Sequence, residues 1–223
     1  LHNPTGSAWG ELFLGIDKIL RKIEPMLPRT ARQRALKAAV KFIKPRLNGE
    51  DGLGGIFPAM ANAVMAFEAL GYPKDDPDLL TAKSSIQKLL RLDGEKGFCQ
   101  PCLSPIWDTG LAVHSLAEAN GSDETKELSR AATWLAEKQI LDVEGDWADN
   151  RPGLRPGGWP FEYANDYYPD VDDTAVVALA LDRMDREKFR ENIERAAEWI
   201  VEMQSKNGGW GTFDADNTYE YLN

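Results

Sequence analysis

Three Ala-rich segments, AMANAVMAFEAL (59–70), WDTGLAVHSLAEA (107–119) and DTAVVALALDRM (173–184), are apolar almost all round a helical wheel. A helix without a polar face must be covered on every side, whereas an amphipathic one lies at a surface. Four charged, amphipathic segments alternate with them, at 31–46, 79–92, 125–139 and 188–204, so the order is outer, inner, outer and so on. Pro58, Pro105 and Pro169 stand at the approach to the inner helices, where proline suits a first turn. Short turns at 71–73, 120–122 and 185–187 follow them and predict antiparallel hairpins. Nothing alternates with period two for long enough to build a sheet. Helix hairpins repeated at this spacing stack into solenoids or close into α/α toroids. The expected fold is therefore all-α: an α/α toroid of inner and outer helices, present as a partial α/α barrel.

Two outer helices share a closer signature. Trp134 and Gln139 match Trp199 and Gln204, and GDW (145–147) and GGW (208–210) follow them. GEKGF (94–98) reads as a degenerate copy. A Gln at a helix C-terminus can donate to the unpaired carbonyls there, and a Trp can cover the same end. The signature is a fastening, not a catalytic device.

Net charge excludes some functions. The chain of 223 residues carries -10 overall, yet residues 17–46 hold ten Lys/Arg against Asp17 and Glu24, a local +8 that leaves -18 for the remainder. A chain this acidic makes no nucleic-acid binder, since phosphate contacts need basic surface. The basic stretch is either a solvated helix face or a surface for anionic lipid. No window holds the roughly 18 uncharged apolar residues of a spanning helix. Cys99 and Cys102 form one C-x-x-C without a second ligand pair, the only histidines being His2 and His114. They read as small apolar thiols in a packed loop. DADN (214–217) fails as an EF-hand start, because Tyr219 occupies the sixth position, where glycine is needed. The ends, Leu1-His2 and NTYEYLN, read as cuts through a longer protein.

The cluster that carries chemistry is YYPDVDDTAVV (167–177). Asp170 stands at a plausible N-cap and Asp173 three residues on, a capping-box spacing. Asp172 falls on another face of the first turn, free to point into a cavity. The helix N-terminus favours ionisation, while neighbouring carboxylates and an apolar pocket oppose it. If backbone donors hold Asp170 and Asp173, the proton that stays is expected on Asp172. The same three residues serve equally well as a plain, solubilising helix cap. A third reading is a Mg²⁺ site for a diphosphate substrate, but no basic cluster flanks residues 160–182.

These segments together resemble a family, the class II triterpene cyclases, and among them the bacterial squalene–hopene cyclases. PDVDDTAVV (169–177) matches the family's D-x-D-D motif; LSPIWDTGLA (103–112), RPGGWPFEYANDYYP (155–169) and QSKNGGWGTFDADN (204–217) carry the rest of the likeness. The resemblance implies a central portion of a two-barrel enzyme, with residues 1–104 closing one α/α barrel domain and 105–223 opening the next. It implies protonation-initiated cyclisation of squalene to hopene or hopanol, without metal or organic cofactor, by an enzyme seated on the cytoplasmic face of a bacterial inner membrane. A homodimer is also expected. Asp172 is the implied general acid, with Asp170 and Asp173 hydrogen-bonded to it. Trp107 and Phe161 match cavity-lining positions, Phe213 stands where some members carry Tyr, and Ile56 and the loop 100–102 match the cavity wall. Trp159 and Tyr163 join them as aromatic candidates for holding a carbocation by cation–π attraction. Asp108 is expected as a cap or a polar neighbour of the acid, and His114 as a satisfied core histidine. The family's partner histidine lies further along, so these 223 residues alone are expected to be inactive. Two alternatives remain open: a class II diterpene cyclase acting on a prenyl diphosphate, and a non-catalytic toroid used as a binding module.

Overall fold

The structure is a computed structural model that describes every residue except 1, 2, 4, 5, 27, 50, 121–124 and 218–223. His2, Tyr219 and the turn expected at 120–122, apart from Asn120, lie outside the described residues. Two compact units emerge, Leu1–Lys44 and Pro45–Asn223. The first holds α1 (Ala8–Ile23) and α2 (Arg29–Ile43). Ser7 caps α1, its Oγ accepting from Gly10 N at 3.1 Å. Trp9, Phe13, Ile16, Leu20 and Ile23 recur along α1 at helical spacing, and all of them are exposed. Sequence patterning did not single out this helix, although its apolar face is regular.

The second unit is built from helix hairpins. α3 (Phe57–Ala69) packs on α4 (Pro77–Leu89), whose cap Asp76 accepts from Asp78 N and Leu79 N. α5 (Pro105–Asn120) packs on α6 (Lys126–Glu137) and on α7 (Val171–Asp185), and α7 on α8 (Arg190–Glu202). α5 and α7 are the Ala-rich inner helices, and α6 and α8 the amphipathic outer ones. Ile106, Val113, Leu135, Val177, Ala180, Leu181 and Ala196 interlock between the four as one buried core. The chain is thus all-α with the inner–outer order of an α/α toroid.

One small sheet departs from expectation. The helix predicted over 79–92 stops at Leu89, and β1 (Leu90–Asp93) pairs antiparallel with β2 (Lys96–Cys99). All eight strand residues are exposed, so no alternation of burial marks them. The available signal was Gly94, the first residue of the two-residue turn Gly94-Glu95 between Asp93 and Lys96, with φ 58°. GEKGF is therefore a hairpin, and no copy of the Gln–Trp turn.

That turn itself needs re-pairing. Trp159 donates from Nε1 to Leu135 O at 2.6 Å, and Trp210 donates from Nε1 to Ile200 O at 2.7 Å. Both carbonyls lie in the last turn of an outer helix, each one residue after its tryptophan, Trp134 or Trp199. The partner of GGW (208–210) is therefore GGW (157–159), not GDW (145–147). Trp147 instead packs edge-on against Trp199, ring centroids 5.8 Å apart. Gln139 donates to Gly157 O at 2.8 Å and Asn192 O at 3.0 Å, tying α6 to the next repeat. Gln204 closes its own turn on Gly208 O.

Candidate active site

The segment between α6 and α7, residues 138–170, is long and irregular, and a loop of that length in a compact domain usually serves function. It doubles back on itself. Ile140 N donates to Gly158 O, and Asp170 N donates to Trp159 O at 3.0 Å, forming an antiparallel bridge at the start of α7. Gly158 lets this crossing close: a Cβ there would meet Pro169 Cβ at 2.8 Å and Thr174 Oγ1 at 2.9 Å. Thr174 locks both sides, its hydroxyl donating to Asp170 O and accepting from Trp159 N at 3.0 Å. Val171 N donates to Thr212 O at 2.9 Å, so the chain after α8 holds the same point from the other flank.

This frame buries two of the three aspartates. Asp170 is the N-cap of α7, its Oδ1 accepting from Asp173 N at 2.7 Å. Only half of the expected capping box forms. Asp170 N is already spent on Trp159 O, so Asp173 has no backbone donor to return to, and its buried Oδ1 has no hydrogen-bond partner. Its carboxyl instead lies against the carboxyl of Asp170. Burial first, then that contact and the charges of Asp170, Glu162 and Asp172, push the Asp173 carboxyl up to about 9. Burial raises Asp170 too. Burial thus favours a retained proton on the Asp170–Asp173 pair, whereas the sequence led to its expectation on Asp172. Asp172 occupies the exposed side of the turn and opens onto a cavity.

The cavity measures about 500 Å³. The structure brings Asp170, Asp172, Asp173, Ile56, Trp107, Phe161 and Phe213 together around it, with Cys102 beside Ile56. An antiparallel bridge joins Ile56 to Cys102. Trp107 and Phe161 face one another, ring centroids 6.5 Å apart and tilted by 37°. Two predicted aromatics fall elsewhere. Trp159 is fully buried in the helix core, because its indole N–H is drawn to Leu135 O. Tyr163 packs edge-on against Trp134 at 6.3 Å, away from the acids. Cys99 is exposed at the end of β2, so it is not packed in a loop.

Polar neighbours fall into place around this wall. Asp108, in the first turn of α5, accepts from Ser104 Oγ at 2.9 Å. His114 is held through Nε2 by Val176 O at 3.0 Å. Among the described residues, no group of three or more His, Cys, Asp and Glu is arranged to hold a metal ion. Sequence reasoning missed Glu162, Asn165 and Tyr168, which also line the cavity. Tyr168 OH donates to Asp146 Oδ2 at 2.7 Å, and Asp146 also accepts from Arg46. The arrangement sets a cluster of carboxyl groups beside a chamber faced by aromatic rings.

Comparison with known proteins gives the same direction. Residues 103–223 match the family model described as squalene-hopene cyclase C-terminal domain, and residues 2–94 match squalene-hopene cyclase N-terminal domain. The chain is 52% identical over 226 residues to squalene–hopene cyclase of Zymomonas mobilis, covering 96% of this chain and 34% of that protein. It is 50% identical to a probable squalene–hopene cyclase of Sinorhizobium fredii (96% and 34%) and 37% identical to the squalene–hopene cyclase of Alicyclobacillus acidocaldarius (98% and 34%). The chain spans about a third of the length of these relatives.

A carboxyl whose pKa is raised in the fold binds its proton more tightly than the unfolded chain does. Stability is then full below the ordinary carboxyl range and declines as pH rises toward the folded value. For Asp173 that window runs from 3.8 to about 9. Asp173→Asn should therefore stabilise the chain by on the order of 1–3 kcal/mol near pH 8 and change little near pH 4. Denaturant unfolding at the two pH values checks this, and an equal effect at both would contradict it.

Proposed function

The chain belongs to the squalene–hopene cyclase family, and from that premise we propose that it supplies the acid half of a protonation-initiated squalene cyclase. One observation carries the reading: Asp172 opens onto an aromatic-faced cavity that is also lined by the buried carboxyls of Asp170 and Asp173. Burial raises the Asp170 and Asp173 carboxyls together, so the proton belongs to that pair. Asp172, the exposed member of the three at the chamber, takes that proton from the pair and passes it to the substrate. The O–H bond breaks as the alkene's π electrons take the proton, leaving a carboxylate and a tertiary carbocation. Successive double bonds of the substrate then attack that cation, each closing a ring. Proton loss gives hopene and capture of water gives hopanol, so the reaction is redox-neutral and consumes no reducing equivalent.

The carbocation has to be stabilised without being trapped. Trp107 and Phe161 present π faces that attract a desolvated cation by about 2 kcal/mol and form no bond to it. The carboxylate left on the cluster adds Coulomb attraction in a low dielectric. Phe213 and Ile56 give the chamber its apolar wall. We assign residues 1–104 to the end of one barrel domain of the parent enzyme and 105–223 to the beginning of the other.

The parent is proposed to sit on a membrane surface, at the cytoplasmic face of a bacterial inner membrane, where an apolar substrate is stored. In support, α1 exposes Trp9, Phe13, Ile16 and Leu20 along one face, and α2 carries Arg29, Arg32, Arg34, Lys37 and Lys41. Apolar insertion plus cationic attraction to anionic headgroups is the physics of an interfacial helix. Among the described residues no helix is long and apolar enough to cross a bilayer.

Two experiments test these readings in the full-length enzyme. Asp172→Asn is expected to cut squalene turnover by at least about 100-fold without loss of folding, and unaltered turnover would refute the acid role. Phe13→Glu is expected to weaken binding to anionic vesicles by roughly tenfold or more, whereas unchanged partitioning would remove α1 from the membrane contact.

A further inference from the structure

The aspartates are not the only carboxyls at this wall. Glu162 follows Phe161 in the doubled-back segment, and it lines the cavity although it is only 4% exposed. Its Oε2 accepts from Asn165 Nδ2 at 3.1 Å, while Asn165 Oδ1 accepts from Asn48 Nδ2 at 3.0 Å. The second bond fixes the amide's orientation, so Asn165 turns its donor end toward Glu162. The other oxygen, Oε1, lies over Gly55, where a Cβ would come within 2.2 Å of it. Gly55 has φ 65°, so glycine here serves both the backbone and the space the carboxyl occupies.

The groups around Glu162 are mostly acids. Burial, then Asp51 and Asp170, push its carboxyl up to about 7, against the Asn165 hydrogen bond. Asp51 is itself anchored by accepting from Ala164 N at 2.6 Å. Glu162 in turn is one of the charges that raise Asp173, and it also raises the Cys102 thiol, after burial. Each new negative charge in this pocket therefore forms beside others in a medium that screens them poorly.

We propose that Glu162 is a positioning residue for the acid: its buried carboxyl, held by Asn165 and seated over Gly55 in the wall it shares with Asp170 and Asp173, sets the electrostatic surroundings in which that pair holds and gives up its proton. It acts through the pair and does not touch the reacting carbon. The inference rests on the acid role assigned to the aspartate cluster.

The test is the pH profile of kcat/KM for squalene cyclisation by the full-length enzyme, wild type against Glu162→Gln. Removing an ionisable neighbour lowers the pair's proton affinity, so the basic limb should move to lower pH by roughly half a unit or more. Glu162→Asp keeps an ionisable carboxyl and should hold the wild-type limb. A limb that stays put in Glu162→Gln, or a loss uniform across pH, overturns the proposal. If Glu162→Gln does not fold, Glu162→Ala takes its place: a limb moved to lower pH supports the inference and an unmoved one overturns it. The two readings fail separately. Turnover surviving in Asp172→Asn removes the acid role itself, whereas an inactive Asp172→Asn with an unmoved Glu162→Gln limb removes only the role of Glu162.

Discussion

The start of α7 is capped by a carboxyl group that is almost wholly buried, and much of the second unit is arranged to hold it there. A helix N-terminus offers unpaired N–H groups and a partial positive charge, which favour an anion. Burial charges heavily against one. Asp170 resolves the conflict by taking Asp173 N, while Trp159 O takes Asp170's own N–H. Asp173 then shares a proton with its neighbour because no backbone donor remains for it. The cavity follows from this point. The bridge between Trp159 and Asp170 sets the register that brings Phe161 to the wall, and the bond from Val171 N to Thr212 O brings up Phe213.

The same crossing joins architecture to chemistry. Trp159 caps the last turn of α6 through Leu135 O and pairs through its backbone with the acid's own cap. Gln139 meets the neighbouring Gly157 O. A fastening between repeats is thereby also the support of the acid. The fold accepts a buried acidic cluster that weakens it as pH rises, and the loss is concentrated at the positions proposed to do chemistry, as strain and burial at functional sites generally are.

Much of this was legible in the sequence because it is periodic. Inner helices are apolar on all sides and outer ones on a single stripe, so their alternation gave the toroid, and the D-x-D-D cluster stood out against an apolar run. What escaped has no period. The hairpin of 90–99 is short and exposed on both faces, so it carries no alternation. The charge excess over 17–46 runs across the boundary between α1 and α2 and overlaps the regular apolar face of α1. Trp159 looked like any cavity aromatic until its indole hydrogen bond showed which carbonyl it serves. The proton's position depended on where one backbone N–H went, which spacing alone does not decide. Glu162 is a single loop residue, and its burial depends on Gly55, more than a hundred positions earlier.

The central claim is that the aspartate cluster keeps a proton at neutral pH because it is buried and lacks enough donors. Infrared spectroscopy of the full-length enzyme with isotope-labelled aspartate observes this directly, since a protonated carboxyl absorbs apart from a carboxylate. The account predicts a protonated-aspartate band that persists at neutral pH and is lost in Asp173→Asn. A neutral-pH spectrum showing only ionised aspartates would contradict it.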